Sequence, residues 1–397
     1  MEFFPSRSGQ FNRKPSSKVG GAVARNRQSN EFNGLSRRDF LGGVGVAGAM
    51  AMSHLVISPG KAWAASWPER PVTAVVMYGA GGGTDTVIRT ITGEMARATG
   101  WTINVINKPG AVGGVATRFM LNKPDNGYWW LGAANYNKFV RVMGHSDSKA
   151  WVDWQYYQAA NSLASWSVRT NSPFQTLEDV IEAAKKRPGQ ITISTSGTGG
   201  LWHELAAIVS QNAGIELKFI PYTGGKAATL AGLQGEVDIT GGGVHEHIEF
   251  IKAGKLRNLQ QTGTDDLVVP GHGKMRSVGN IIPSLKPLLP VGGIYNIALK
   301  RSTPLEILTT VEKAFVKAVQ SEAFLAVAKR KYFDIDIRTG PAADRRAAQV
   351  ESVTAATFVK LQKHIGKKVR GPAELGLPEP KDFDAWWPPK DYKPRLV

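Results

Sequence analysis

Cysteine is absent from the 397 residues, which excludes disulfide bonds, thiolate metal ligands and a cysteine nucleophile. No Gly-Lys-Ser or Gly-Lys-Thr occurs, so the chain cannot build a phosphate-binding P-loop. The H-E-x-x-H zinc pairing is missing too: His203-Glu204 is followed by Ala207 where a second histidine belongs. The run His245-Glu246-His247-Ile248-Glu249 puts His245 and Glu249 on one helical face. Two ligands are too few for a zinc site, so no metal and no other cofactor is expected. After residue 64 no stretch offers eighteen consecutive apolar residues, and the remainder reads as a soluble protein. Acids are the minority charge, 32 against 49 Lys and Arg, for a net +17. Those basic residues are spread along the chain and no nucleic-acid module is recognisable, so no nucleic-acid partner is expected. Small anions drawn by long-range attraction suit the charge better.

Residues 1–35 are rich in Arg, Asn, Ser and Gly and lack apolar periodicity. "SRRDFLGG" (Ser36–Gly43) comes next, then an apolar Gly/Ala-rich stretch to Ile57 and Ala62-Trp63-Ala64. A basic region, a short apolar run and an A-x-A site make a secretory signal. The paired arginines resemble the twin-arginine type. Residues 1–64 are therefore expected to be a disordered leader plus signal, cut after Ala64, with export to the periplasm. A permanent anchor is the weaker reading, because glycines and His54 interrupt the apolar run.

Beyond Ala64 the chain alternates short β-like runs with amphipathic ones, the pattern of an α/β sheet. "VTAVVM" (Val72–Met77), "TINVIN" (Thr102–Asn107), "YWWLGAA" (Tyr128–Ala134) and "LASWSVR" (Leu163–Arg169) read as strands. Thr84 to Thr99 and Thr176 to Gly189 read as helices, the second with a Thr N-cap, acids in its first turn and a basic end. Later strands "ITISTS", "LKFIPY" and "VDIT" each run into a glycine-bearing loop, "GTGG", "TGG" and "GGG", that opens a helix. In open α/β sheets ligands sit at such strand ends. The C-terminal third offers the strand "IYNIALK" and helices near Pro304–Ala318 and Ala343–His364. Its tail "FDAWWPPKDYKPRLV" reads as a strap over a surface.

The loop "YGAGGGTDT" (Tyr78–Thr86) fits the first two glycines of a dinucleotide fingerprint at Gly79 and Gly81. Thr84 stands where the third belongs, and the next strand ends in Asn107-Lys108 instead of an acid. "TSGTGG" (Thr195–Gly200) fails the G-x-S-x-G elbow by one place, although His203 downstream is a candidate base for Ser196. A polar loop with a capping serine is the stronger reading. Trp202, one turn into the helix opened by that loop, either faces a ligand or packs on the sheet.

Six stretches together resemble one family, the periplasmic solute-binding proteins of tripartite tricarboxylate transporters, the TctC or Bug family. They are "WPERPVTAVVMYGAGGGTDTVIR", "INVINKPGAVGGVAT", "KPDNGYWWLGA", "TLEDVIEAAKKRPGQITISTSGTGG", "FIPYTGGKAATLAGLQGEVDI" and "IKAGKLRNLQQTG". The resemblance implies an α/β, two-domain type II periplasmic binding protein (a Venus flytrap), each domain a mixed sheet flanked by helices. Residues 66–165 and 260–397 would form domain I and 166–259 domain II, with hinges near Leu163–Arg169 and Leu256–Gly263. It implies no enzyme activity, a monomer, and delivery of a bound carboxylate to membrane permease subunits. The ligand would be held by Tyr78, Gly79, Ala80, Gly82, Gly83, Thr84 and Asp85 of the first loop. Ser196, Gly197, Thr198, Gly199, Trp202 and His203 of the second would face them. Ala133, Ala134, Asn135, Tyr222, Gly224 and Gly242 complete the expected set. Asp85, too close to an anion to bind it, is expected to cap loop amides or to accept a bond from a ligand amine or water. Departures from the family at Gly241–Gly243 and Leu201-Trp202 favour an aromatic or longer apolar acid over a compact hydroxy-acid, and the expected partner is a small carboxylate, aromatic or dicarboxylic. Two alternatives remain: an exported hydrolase using Ser196 and His203, and a protein presenting its ligand to a membrane sensor kinase.

Overall fold

The structure is a computed structural model and describes residues 67–395, all within the compact unit Ser58–Val397. The expected leader, signal and cleavage site lie outside the described residues. The principal elements begin with β1 (Val72–Val76), α1 (Gly83–Thr99), β2 (Ile103–Asn107), α2 (Gly114–Leu121), β3 (Trp129–Ala134) and β4 (Trp154–Arg169). They continue with α3 (Leu177–Lys186), β5 (Thr192–Thr195), α4 (Leu201–Ala213), β6 (Lys218–Pro221), α5 (Gly225–Gln234), β7 (Thr240–Gly243), α6 (Val244–Lys252) and β8 (Leu256–Gln261). β9 (Gly292–Lys300), α7 (Leu305–Val319), α8 (Glu322–Lys331), β10 (Asp334–Arg338) and α9 (Gly340–Lys360) close the series.

The larger sheet has the order β10-β4-β9-β3-β1-β2. β1 is parallel to both β2 and β3, whereas β9 runs antiparallel to β3 and β4. The Val-rich β1 is almost wholly buried, as a central strand covered on both faces should be. One face is sealed by α1 and α7 through Ile88, Ile91, Leu308 and Phe315. The other is sealed by α2 and α9 through Met120, Ala347 and Phe358. α1 stops where Gly100 adopts a left-handed conformation and returns its N–H to Ala96.

β4 links two sheets. Its first part pairs with β9 as far as Leu163, and Ala164 to Arg169 pair with β7 and β8. β5 and β6 lie parallel beside β7, through a bridge between Ile193 and Ile239. The chain returns through Thr262, whose Oγ1 accepts the Ala164 N–H at 2.8 Å. α3 starts with a reciprocal capping box between Thr176 and Asp179.

Three expectations about element bounds are corrected. The strand expected from Leu163 begins at Trp154, because near-continuous burial removes the alternation that would have marked it. Gly241–Gly243 are not a loop after "VDIT" but the body of β7. A Cβ at Gly241 would lie 2.3 Å from the Ser194 carbonyl oxygen, so only glycine lets these strands meet. The helix expected over Ala343–His364 begins at Gly340 and ends at Lys360, before a short turn over Gln362–Ile365. α8 and β10 add to the expected elements. The C-terminal tail does lie as a strap: Phe383 is buried, and the Tyr392 hydroxyl donates to Asp344 at 2.7 Å.

Candidate functional site

The first loop leaves β1 and enters α1 at Gly82. Gly81 takes a positive φ of 78°, and its N–H donates to Asp85 Oδ2 at 2.8 Å. Arg89 Nε and Asn107 Nδ2 donate to the same carboxyl at 2.9 and 2.8 Å. Burial alone would raise the Asp85 pKa, but the Gly81 amide, Arg89 and Asn107 together hold it below the usual carboxylate range. Asp85 thus braces the loop, the first of its two expected roles, and is not among the residues that line the cleft. α1 has no side-chain cap, so its first-turn amides keep their hydrogen-bonding capacity.

The second loop runs from Ser196 to Gly200, with Gly197 and Gly199 at positive φ. It opens α4, again without a side-chain cap. Inside α4, His203 Nδ1 accepts the Gly199 N–H at 3.0 Å and Nε2 faces the His364 carbonyl at 3.1 Å. Burial lowers the His203 pKa to about 4, so the ring is neutral with its proton on Nε2. Neither nitrogen is left to activate Ser196, and the hydrolase alternative loses its base.

The two loops meet in one cleft. From the expected set it is lined by Tyr78, Gly79, Gly82, Gly83, Thr84, Ala134, Asn135, Ser196 and Trp202. The Thr84 and Ser196 side chains make no hydrogen bond to another described residue. Asn135, Tyr136 and Asn137 all have positive φ, a costly run for non-glycine residues that tends to mark functional sites. Asn135 is held there by accepting the Ile294 N–H at 3.0 Å.

Other expected residues stand elsewhere. Ala80 is exposed, and Ala133 is buried in β3 opposite Asn296. Gly197, Thr198 and Gly199 shape the second loop without lining the cleft. A Cβ at Gly199 would strike Met143. Tyr222 turns away and donates to Glu236 at 2.9 Å. Gly224 stands beside Gly79, where a Cβ would make an ordinary 3.5 Å contact with the Gly79 nitrogen, and its φ of 155° is what favours glycine. Gly242 pairs with Ser165 inside the second sheet.

Leu201, noted only as a departure from the family, also lines the cleft, and sequence reasoning missed Gly225, Glu246, Gly293 and Tyr295, which complete the lining. Glu246 had a signal: it is the third residue of a helix opened by glycine, where an acid reaches back to the helix start. Its Oε2 accepts the Gly243 N–H at 2.9 Å. A polar chain runs from Ser162 Oγ to Tyr295 Oη at 3.0 Å, and on to His245 Nε2 at 3.2 Å. His245 Nε2 lies 3.6 Å from Glu246 Oε1. Burial works to neutralise Glu246, but His245 and the Gly243 amide outweigh it and hold its pKa below the usual glutamate value. A Cβ at Gly83 would come within 2.2 Å of His245 Nε2 and 2.5 Å of Tyr295 Oη. The cleft is partly open and holds about 40 Å³, room for a few waters. Gly82, Gly83 and Glu246 also border an adjoining cavity of about 250 Å³.

Residues 87–352 match the model of the tripartite tricarboxylate transporter family receptor. A UPF0065 protein from the gbd 5′ region of Cupriavidus necator is 26% identical over 290 residues, covering 72% of this chain and 85% of that protein. Among solved structures, the periplasmic binding protein BugD is 21% identical with a TM-score of 0.68, over 75% of this chain and 99% of its own. An R. palustris protein solved with adipate is 20% identical with a TM-score of 0.67, over 77% of this chain and 99% of its own. These structures share the α/β periplasmic binding protein fold with this chain.

Proposed function

The chain belongs to the tripartite tricarboxylate transporter receptor family, and from that premise we propose that its cleft captures a small organic carboxylate. Members of the family are periplasmic solute-binding proteins, and this chain is a binding protein, not an enzyme. The observation that carries the reading is the meeting of two uncapped helix starts, those of α1 and α4, in one cleft. Orphan amides and the positive ends of two helix dipoles favour a negative ligand there. The unpaired hydroxyls of Thr84 and Ser196 add donors from opposite sides.

Residues 66–165 with 260–397 act as one domain and 166–259 as the other. β4 and the Thr262 crossing serve as hinges. A cavity of about 40 Å³ is too small to admit a dicarboxylate, so the ligand enters when the halves part and stabilises the closed form by touching both loops. The closed monomer then delivers its ligand to the permease subunits of a tripartite transporter. Export uses the twin-arginine signal. The adipate-bound R. palustris protein of the same fold supports the carboxylate class.

A thermal-shift screen of the purified protein against mono- and dicarboxylates tests the reading. Stabilisation by at least one aromatic or aliphatic acid is expected. No stabilisation by any of them overturns it.

A further inference from the structure

Of the residues that line the cleft, one carries a formal charge, and its sign is negative. Glu246 sits at the cleft wall beside Gly82, Gly83 and Gly225, with no Lys or Arg among the lining residues. Lys226 lies over Gly81 and borders the adjoining cavity instead. The Glu246 side chain is 6% exposed. A Cβ on Gly225 would fall 1.8 Å from Glu246 Oε1, so the glycine leaves room for that oxygen. The rest of the wall includes Tyr78, Trp202 and Tyr295.

We propose that this cleft selects a carboxylate that also carries an organic cation, an ammonium group above all, with the cation set against Glu246 and the aromatic rings. This rests on the carboxylate reading of the same site and narrows it. The carboxylate goes to the helix starts and to Thr84 and Ser196. The ammonium meets Glu246 Oε1, the oxygen that the Gly243 amide does not bind and that His245 Nε2 approaches only to 3.6 Å. Ring faces attract cations through their quadrupole, most strongly when water is excluded.

The electrostatic argument decides between a second carboxylate and an ammonium at this end. Two like charges a few ångströms apart in a half-buried site repel strongly, and opposite charges attract by as much. A dicarboxylate that spanned the cleft would bring its far end against an ionised, buried acid. An amino acid of the same length would bring a counter-charge and three donors.

Matched probes test this on the intact protein by calorimetric titration: succinate against β-alanine, glutarate against γ-aminobutyrate, adipate against δ-aminovalerate. In at least one pair the amino acid is expected to bind about tenfold tighter or more. Glu246→Gln keeps an oxygen for the Gly243 amide and is expected to lower that ratio by about tenfold, with an unchanged circular dichroism spectrum. Trp202→Leu is the second variant and is expected to weaken the amino acid more than the dicarboxylate. Tighter binding of the dicarboxylate in every pair, or a ratio unmoved by both variants, overturns the proposal and leaves carboxylate capture standing. Binding of neither class overturns this proposal, and if no acid of the thermal-shift screen stabilises the protein either, carboxylate capture falls with it.

Discussion

His203 and Gly199 are joined by a hydrogen bond in which the glycine amide donates to Nδ1 at 3.0 Å. The bond ties the first turn of α4 to the loop before it, and it requires the imidazole to be neutral. A second buried imidazole, His247, receives no charge either. Burial lowers the pKa of each ring to about 4 from an ordinary value near 6.5.

Protonation of these rings should therefore loosen the fold in acid, against the opposite pull of buried Glu351, whose pKa burial raises to about 7. Because both folded pKa values are depressed, the stabilisation from neutral rings is complete above about pH 6.5 and is lost as pH falls through about 4. The two rings together are worth a few kcal/mol. The melting temperature should start to fall below about pH 6.5, and His247→Asn should flatten that slope. A melting temperature level down to about pH 4.5 would contradict the assignment.

Thr84→Ala and Ser196→Ala each remove one hydroxyl from opposite sides of the cleft. Each should weaken carboxylate binding by about tenfold or more, the worth of a hydrogen bond to a charged group, while unfolding curves stay within error. Unaltered affinity in both variants, measured calorimetrically, would defeat the two-loop clamp.

Gly83→Ala drives a methyl group into His245 and Tyr295. It should destabilise the protein by about 1–3 kcal/mol and abolish binding. Gly93, further along the same helix, faces open space, with nothing within 4 Å of where a methyl group would stand. Gly93→Ala should therefore stabilise by about 0.5–1 kcal/mol. Urea titration of the pair separates a packing constraint from helix propensity.

Ending the chain at Glu379 removes the strap. Buried Phe383 is lost, and Asp344 loses the Tyr392 hydroxyl, although Arg301 still pairs with it at 2.8 Å. A destabilisation of about 3–5 kcal/mol is expected. An unchanged melting temperature would show that the tail merely lies on the surface.

The sequence by itself determined the α/β rhythm, most strand and helix positions, and the two glycine loops that open α1 and α4. Those signals are local: β-branched runs, capping residues and glycines act over a few neighbours. The Asp85 brace was legible for the same reason, since its amide partner lies four residues away. β4 was legible only at its far end, because burial on both faces erased the alternation. The pairing of Thr84 with Ser196 across one cleft depends on β4 carrying the chain between two sheets. Tyr295 and Glu246 reach that cleft from β9 and α6, distant in sequence from both loops. Their meeting there, a buried acid beside aromatic residues in the cleft proposed for a carboxylate, arises from juxtaposition, and only the tertiary structure decided it.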